Sequence, residues 1–231
     1  MMENPSSERM NNSRPMRVVA GALDLQGELS IPQNARGIVL LAEGSRNIER
    51  LTSFTELANA FQNAGLATLL VPLLTEDEEQ IDSQTQFFRY NVSILHQRII
   101  GIANWLEQFP ETQNLSIGYF GIGSVGAAAL IAAAERPDSV HALVVRNGRI
   151  DLAQPYLSHV KAPTFLIAGE SDNSALRKYQ EALSQMPIKL EANKKIENIV
   201  SSAGLSETTE TLKQVADLAG QWFARHLVPI V

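Results

Sequence analysis

Gly118-Tyr119-Phe120-Gly121-Ile122-Gly123-Ser124-Val125-Gly126-Ala127-Ala128-Ala129-Leu130 passes from a short apolar run, through closely spaced glycines, into a row of small helix formers. It reads as a strand, a tight turn and an alanine-rich helix. The small side chains let strand and helix approach closely enough for a strained turn between them. A unit of this kind belongs to a sheet with parallel strands, so the sequence on either side is searched for more of them.

Upstream, Gly37 to Ala42 is a continuous apolar run that suits a strand buried on both faces, and the polar loop Glu43-Gly44-Ser45-Arg46-Asn47 follows it. Arg50 to Ala64 carries Leu51, Phe54, Leu57, Ala58 and Phe61 at helical spacing, with Gly65 where a C-cap glycine belongs, and a strand follows at Ala67 to Val71. An acidic loop around Thr75 to Asp82 leads into one long crossover helix over Phe87 to Phe109, striped by Phe88, Val92, Leu95, Ile99, Ile102 and Leu106. Nearer the amino terminus, Val18 to Ala20 and Leu23 to Ile31 alternate apolar with polar or small residues, the mark of antiparallel strands with one solvated face.

Downstream of the opening stretch, which is a strand from Leu115 to Phe120 and a helix through Arg136, the pattern repeats. Strands are expected at His141 to Val145, Thr164 to Ala168 and Lys195 to Val200, with helices at Ser174 to Leu183 and Glu207 to His226. The expected fold is α/β: a mostly parallel, twisted sheet with an antiparallel N-terminal start, helices on both faces and right-handed crossovers. Residues 1–15, rich in Asn, Ser, Arg and Pro without the apolar stretch of a signal peptide, are expected to form a flexible tail, and 16–231 a single domain.

Composition narrows the function classes. Hydrophobic residues make up 45% of the 231 and charged residues 19%, enough to bury a sizeable core. The net charge is −6 and the 19 Lys and Arg form no dense cluster, so nucleic acid is not an expected partner. Ala127 to Ala134, the longest run of small apolar residues, is far shorter than the ~20 residues that span a bilayer, so no membrane insertion is expected. With no Cys there is no disulfide framework, thiolate nucleophile or thiolate metal site, which fits a cytoplasmic protein. No His-x-x-x-His, His-x-His or carboxylate cluster has ligand spacing, and the run Glu76-Asp77-Glu78-Glu79 reads as a solvated loop; neither metal nor cofactor is expected.

Open α/β sheets bind ligands beyond the carboxyl ends of their strands, which directs attention to the turn at Gly121 to Gly126. A nucleophile elbow, G-x-S-x-G, needs glycine two places before the serine and two after; Ser124 has Ile122 before it and Gly126 after it. If the register follows the strand end instead, the apex is Gly123, which carries no attacking group. A plain tight βα turn is also compatible with these glycines. A phosphate-cradling turn has less in its favour, because no acidic ribose-binding residue stands at the expected spacing.

From Ala35 to Leu227 the chain resembles the dienelactone hydrolase-like branch of the α/β-hydrolases. The resemblance rests on Gly37 to Ser45, Ala64-Gly65-Leu66-Ala67-Thr68-Leu69-Leu70, Tyr119 to Pro137, Ala162-Pro163-Thr164-Phe165-Leu166-Ile167-Ala168-Gly169 and Trp222-Phe223. It implies the α/β-hydrolase fold and a Ser or Cys, Asp, His triad in that chain order, with an oxyanion hole of backbone N–H groups. Carried over, the nucleophile position falls on Gly123, with Ser124 its neighbour, the acid on Asp172 and the histidine on Gly204. The oxyanion loop and pocket fall on Glu43, Gly44, Ser45 and Ile122, with Glu43 where relatives often have a histidine.

Two of three triad positions are therefore glycine, and the residues point to a degenerate hydrolase that binds a small-molecule ligand or a protein partner. The alternative is a weak or unusual ester or lactone hydrolase in which a one-residue shift makes Ser124 the nucleophile, assisted by Asp172, with His159 as the candidate base. Of the four histidines, His96 falls mid-helix, His141 at the start of a strand, His159 in a linker before a strand and His226 near the end of the last helix. A serine nucleophile needs a base within hydrogen-bond reach, and His159 is the least remote of the four.

Overall fold

In a computed structural model of the chain, residues 13–45, 48–169, 174–200 and 208–228 are described. Eight strands form one sheet: β1 (Arg14–Ala20), β2 (Leu23–Ser30), β3 (Gly37–Glu43), β4 (Ala67–Pro72), β5 (Ser116–Ile122), β6 (Val140–Arg146), β7 (Thr164–Ala168) and β8 (Lys194–Asn198). Their spatial order is β1-β2-β4-β3-β5-β6-β7-β8, with β1 antiparallel to β2, β2 antiparallel to β4, and every later pair parallel. The expected antiparallel start and parallel body are both present.

Helices cover both faces because the central strands are apolar on both. All seven residues of β3 are buried; Ile38, Leu40 and Ala42 join one core, Val39 and Leu41 the other. The first core is closed by α4 (Val92–Gln108), α5 (Gly123–Glu135) and α7 (Ser174–Gln185). The second is closed by α1 (Ile48–Asn63) and α8 (Thr209–His226), where Phe54 and Phe61 meet Phe120 edge to face and Phe61 meets Phe223.

Several boundaries differ from expectation for local reasons. β1 begins at Arg14, so the strand takes in the last two residues of the expected tail; Pro15 is accommodated because β1 is an edge strand. The acidic run is helix, not loop. Glu76 opens α2 (Glu76–Thr85), capped by a reciprocal box in which the Thr75 hydroxyl accepts from Glu78 N–H and the Glu78 carboxylate accepts from Thr75 N–H. Four acids in the first turn also suit the positive end of the helix dipole.

The single crossover helix is interrupted as well. Gln86 takes a left-handed conformation at φ 55°, a short α3 (Phe87–Tyr90) follows, and α4 starts only after Asn91. Fully buried Asp82 organises the break: its carboxylate accepts from the Phe88 and Arg89 N–H groups at 2.7 and 3.0 Å and is paired with the Arg89 guanidinium. Between β6 and β7 the chain forms α6 (Ile150–Ala153) and a 3-10 turn, Gln154–His159, where a linker was expected. The last strand runs Lys194–Asn198 rather than Lys195 to Val200, and α8 starts at Thr209, capped by Thr208.

Glu78 supplies a pH test of the α2 segment. Burial pushes its carboxyl up, but the Arg98 guanidinium, hydrogen-bonded to it at 2.5 and 2.8 Å, and the Thr75 cap outweigh burial and hold it below the ordinary carboxylate range. A carboxylate so depressed stabilises the fold above its unfolded pKa of about 4.3, and that stabilisation is lost as pH falls through the lower folded value. Glu78→Gln is expected to lower the urea midpoint at neutral pH, with the gap to wild type closing as the denaturation series is taken below about pH 4.

Candidate functional site

The site is built on the β5–α5 turn. Gly121 and Gly126 sit back to back: a Cβ on Gly121 would stand 2.9 Å from the Gly126 nitrogen, and one on Gly126 only 2.6 Å from Val145 Cγ1. No side chain fits there, and this close contact presses the first turn of α5 against β5 and β6. Gly123 is the apex, at φ 58°, in the left-handed region that L side chains rarely adopt. Among the described residues, a Cβ built on it meets nothing within 4 Å. Ser124 lies one step further on, already inside α5 and buried at 8% exposure.

Glu43, Ile122 and Arg146 form a row beside the apex. Leu41 pairs with Phe120 and Ile122 with Arg146, so two positions on from the first pair Glu43 stands level with Ile122, on the face of the second core. Glu43 and Arg146 are both buried, at 2% and 6% exposure, and burial lowers the Arg146 guanidinium from its usual pKa. A carboxylate and a guanidinium thus flank a half-buried isoleucine on the central strands' carboxyl edge.

Gly44 and Ser45, in the loop after β3 where an oxyanion loop was expected, are packed against α3 and α5. A Cβ on Gly44 would come within 3.1 Å of Val125 Cγ2 and 3.8 Å of the Arg89 carbonyl, and Ser45 is buried at 2%. Asp82, by fixing α3, therefore also fixes one wall of this loop. Ile122, the N-cap of α5, supplies no side-chain cap, which leaves the helix's first N–H groups uncapped by it.

None of the histidines hydrogen-bonds to Ser124 among the described residues. His96 donates through Nδ1 to the Val92 carbonyl, with Gln97 at its Nε2 and Glu135 3.5 Å away. His141 accepts from Ile117 N–H at the amino side of the sheet. His159 closes the 3-10 turn five residues before β7, its Nδ1 3.2 Å from the neighbouring Ser158 hydroxyl. His226 packs against the Trp222 ring at the end of α8, where burial first, and Arg225 second, lower its pKa. Asp172, Gly204 and Arg46 lie outside the described residues.

Sequence reasoning missed Arg146, Asp82 and Arg89. Arg146 could have been noticed as a charge closing an apolar strand; the Asp82–Arg89 pair, which joins a residue read as loop to one read as helix, had no signal. Among the described residues no group of three or more His, Asp or Glu is placed to hold a metal ion, and no helix is long and apolar enough to cross a membrane.

An eight-stranded, mostly parallel sheet with a strained glycine turn after its central strand defines an α/β-hydrolase. No protein-family model matches the chain. It is 42% identical to a dienelactone hydrolase from Anabaena variabilis of known structure, with a TM-score of 0.84 over 93% of this chain and 99% of that one. The chain belongs to the dienelactone hydrolase family. Two Mycobacterium tuberculosis proteins, provisionally named phosphoribosyl transferases, are 38% identical over 212 residues, 92% of this chain and 46% of theirs. The chain thus spans about half the length of these curated relatives. Est1E of Butyrivibrio proteoclasticus, at 11% identity and a TM-score of 0.65, shares the fold.

The apex can be tested without chemistry. Gly123→Ala places a methyl where no described residue lies within 4 Å but keeps a left-handed backbone, so the expected loss is about 1–2 kcal/mol, measured by urea denaturation. Gly126→Val drives a branched side chain into Val145 and the Gly121 carbonyl, and its loss should exceed that of Gly123→Ala, at about 3 kcal/mol or more.

Proposed function

We propose that this protein is a degenerate member of its family, one that acts by binding a small molecule or a protein partner and does not turn over esters. The observation that carries this reading is Gly123. It occupies the strained apex where the fold presents its nucleophile and carries no side chain, and no described residue lies within 4 Å of where its Cβ would be. Ser124, one residue on, is folded into the helix, and no histidine is within hydrogen-bond reach of it among the described residues. By the family's pattern the base position, Gly204, is empty too, and a carboxylate without an imidazole between it and the hydroxyl is a poor base for a serine.

Loss of nucleophile and base from a triad removes about 10⁶-fold of catalysis, leaving the weak contribution of oxyanion donors and binding. The absence of Cys and the chain's ordinary charge balance agree with a cytoplasmic setting. The phosphoribosyl transferase name attaches to chains about twice this length, and in this reading that chemistry belongs to the portion this chain does not match.

A second reading, a weak ester or lactone hydrolase using Ser124, draws on the 42% identity to a protein called dienelactone hydrolase. One experiment separates the two. Incubation with a fluorophosphonate probe, read by intact mass, is expected to leave the protein unlabelled, and p-nitrophenyl acetate turnover is expected to match that of Ser124→Ala. Labelling that maps to Ser124 and vanishes in Ser124→Ala would overturn the binding reading.

A further inference from the structure

On the opposite face of the sheet's carboxyl edge from Glu43 and Arg146, a cleft of about 550 Å³ opens between the segment after β6 and α7. Its floor is apolar, formed by Ile150, Leu157 and Ala182, all buried in the first core. One wall carries Arg149 and Asp151, paired at 2.7 and 3.0 Å with more than half of each side chain exposed. The other wall, on α7, carries Lys178 and Glu181, both exposed. The Arg149 guanidinium chiefly, with Lys178 further off, holds the Asp151 carboxyl below its usual range. Gln154 and Gln185 add amide donors and acceptors.

The charges decide the ligand class. Two cations and two carboxylates balance, so the cleft lining carries no net charge that would favour a phosphate or a metal ion over a neutral ligand. A wholly apolar ligand would strip water from these half-exposed ionised groups without replacing its hydrogen bonds, which costs free energy. A hydroxyl both donates and accepts, and so can serve a carboxylate and a guanidinium or ammonium at once. We propose that this cleft binds an uncharged polyhydroxylated molecule, a free sugar. Its hydroxyls donate to Asp151 and Glu181 and accept from Arg149, Lys178 and the two glutamine amides, while its C–H face rests on Ile150 and Leu157. The volume suits a small organic ligand.

This site goes beyond the proposed function and is separate from the Glu43–Ile122–Arg146 row. It is linked to the elbow, because the Arg149 N–H donates to the Gly123 carbonyl at 3.1 Å. That amide is a reporter on both sites.

The test is titration of isotope-labelled full-length protein with D-ribose, D-glucose, D-galactose and maltose, followed by amide NMR, with ribose 5-phosphate and inorganic phosphate as charged comparisons. Saturable shifts at Arg149, Asp151 and Lys178 with at least one free sugar are expected, with affinity unchanged from low to high salt. Asp151→Asn and Glu181→Gln, exposed and isosteric, are each expected to weaken binding about tenfold. Absence of saturable shifts with every free sugar overturns the proposal. So does ribose 5-phosphate or phosphate binding tighter than any free sugar, or sugar binding indifferent to both substitutions. None of these results bears on fluorophosphonate labelling, so the two proposals fail separately.

Discussion

The contact that the rest of the structure depends on is the near-absence of space between β5 and the first turn of α5. Gly121 and Gly126 touch backbone to backbone, Gly126 also abuts Val145 on β6, and every residue from Ser124 to Ala134 is buried. Any Cβ at either glycine would push the helix off the sheet. Because the helix begins this close to the strand, the chain must reverse within one residue, and Gly123 takes the left-handed conformation that such a reversal requires. The residue at this reversal carries no side chain.

Around that turn the protein spends its buried polar groups on shape. Asp82, at the break between α2 and α3, binds two backbone N–H groups and a guanidinium, and so holds α3 against Gly44 and Val125. Arg98 ties Glu78 to the Leu73 carbonyl, anchoring the start of α2 to the end of β4. A buried carboxylate left without such partners would be strongly destabilising, so these pairs are constraints on how the loop beside the elbow is placed. Glu43 and Arg146, buried on either side of Ile122, complete a polar edge on an otherwise apolar layer.

Legibility in the sequence followed the type of signal. Continuous apolar runs such as Gly37 to Ala42 announced strands buried on both faces, since burial on both sides removes any polar alternation. The stripe along α4 announced a helix by its period, and the run of small helix formers announced α5 by composition. The acidic stretch at Glu76 was misread because charge suggested solvent, while its cap, Thr75 with Glu78 three residues on, is a short-range pattern outweighed by composition. The interruption at Gln86 to Asn91 had no periodic signature, because it is imposed by Asp82 from outside the helix it breaks.

By itself the sequence determined the eight strands in chain order, the main helices between them and the glycine turn after the central strand, because these follow from residue types along the chain, but it left open whether Gly123 or Ser124 stands at the apex. Only the tertiary structure decided that Gly123 is left-handed while Ser124 is locked in the helix. The tertiary structure also decided that Glu43 and Arg146 meet at one edge and that Arg149, Asp151, Lys178 and Glu181 face one another across a cleft. The reason is distance: those groups come from segments far apart in the chain, and strand order, crossover and close packing bring them together, none of which is written in any local pattern.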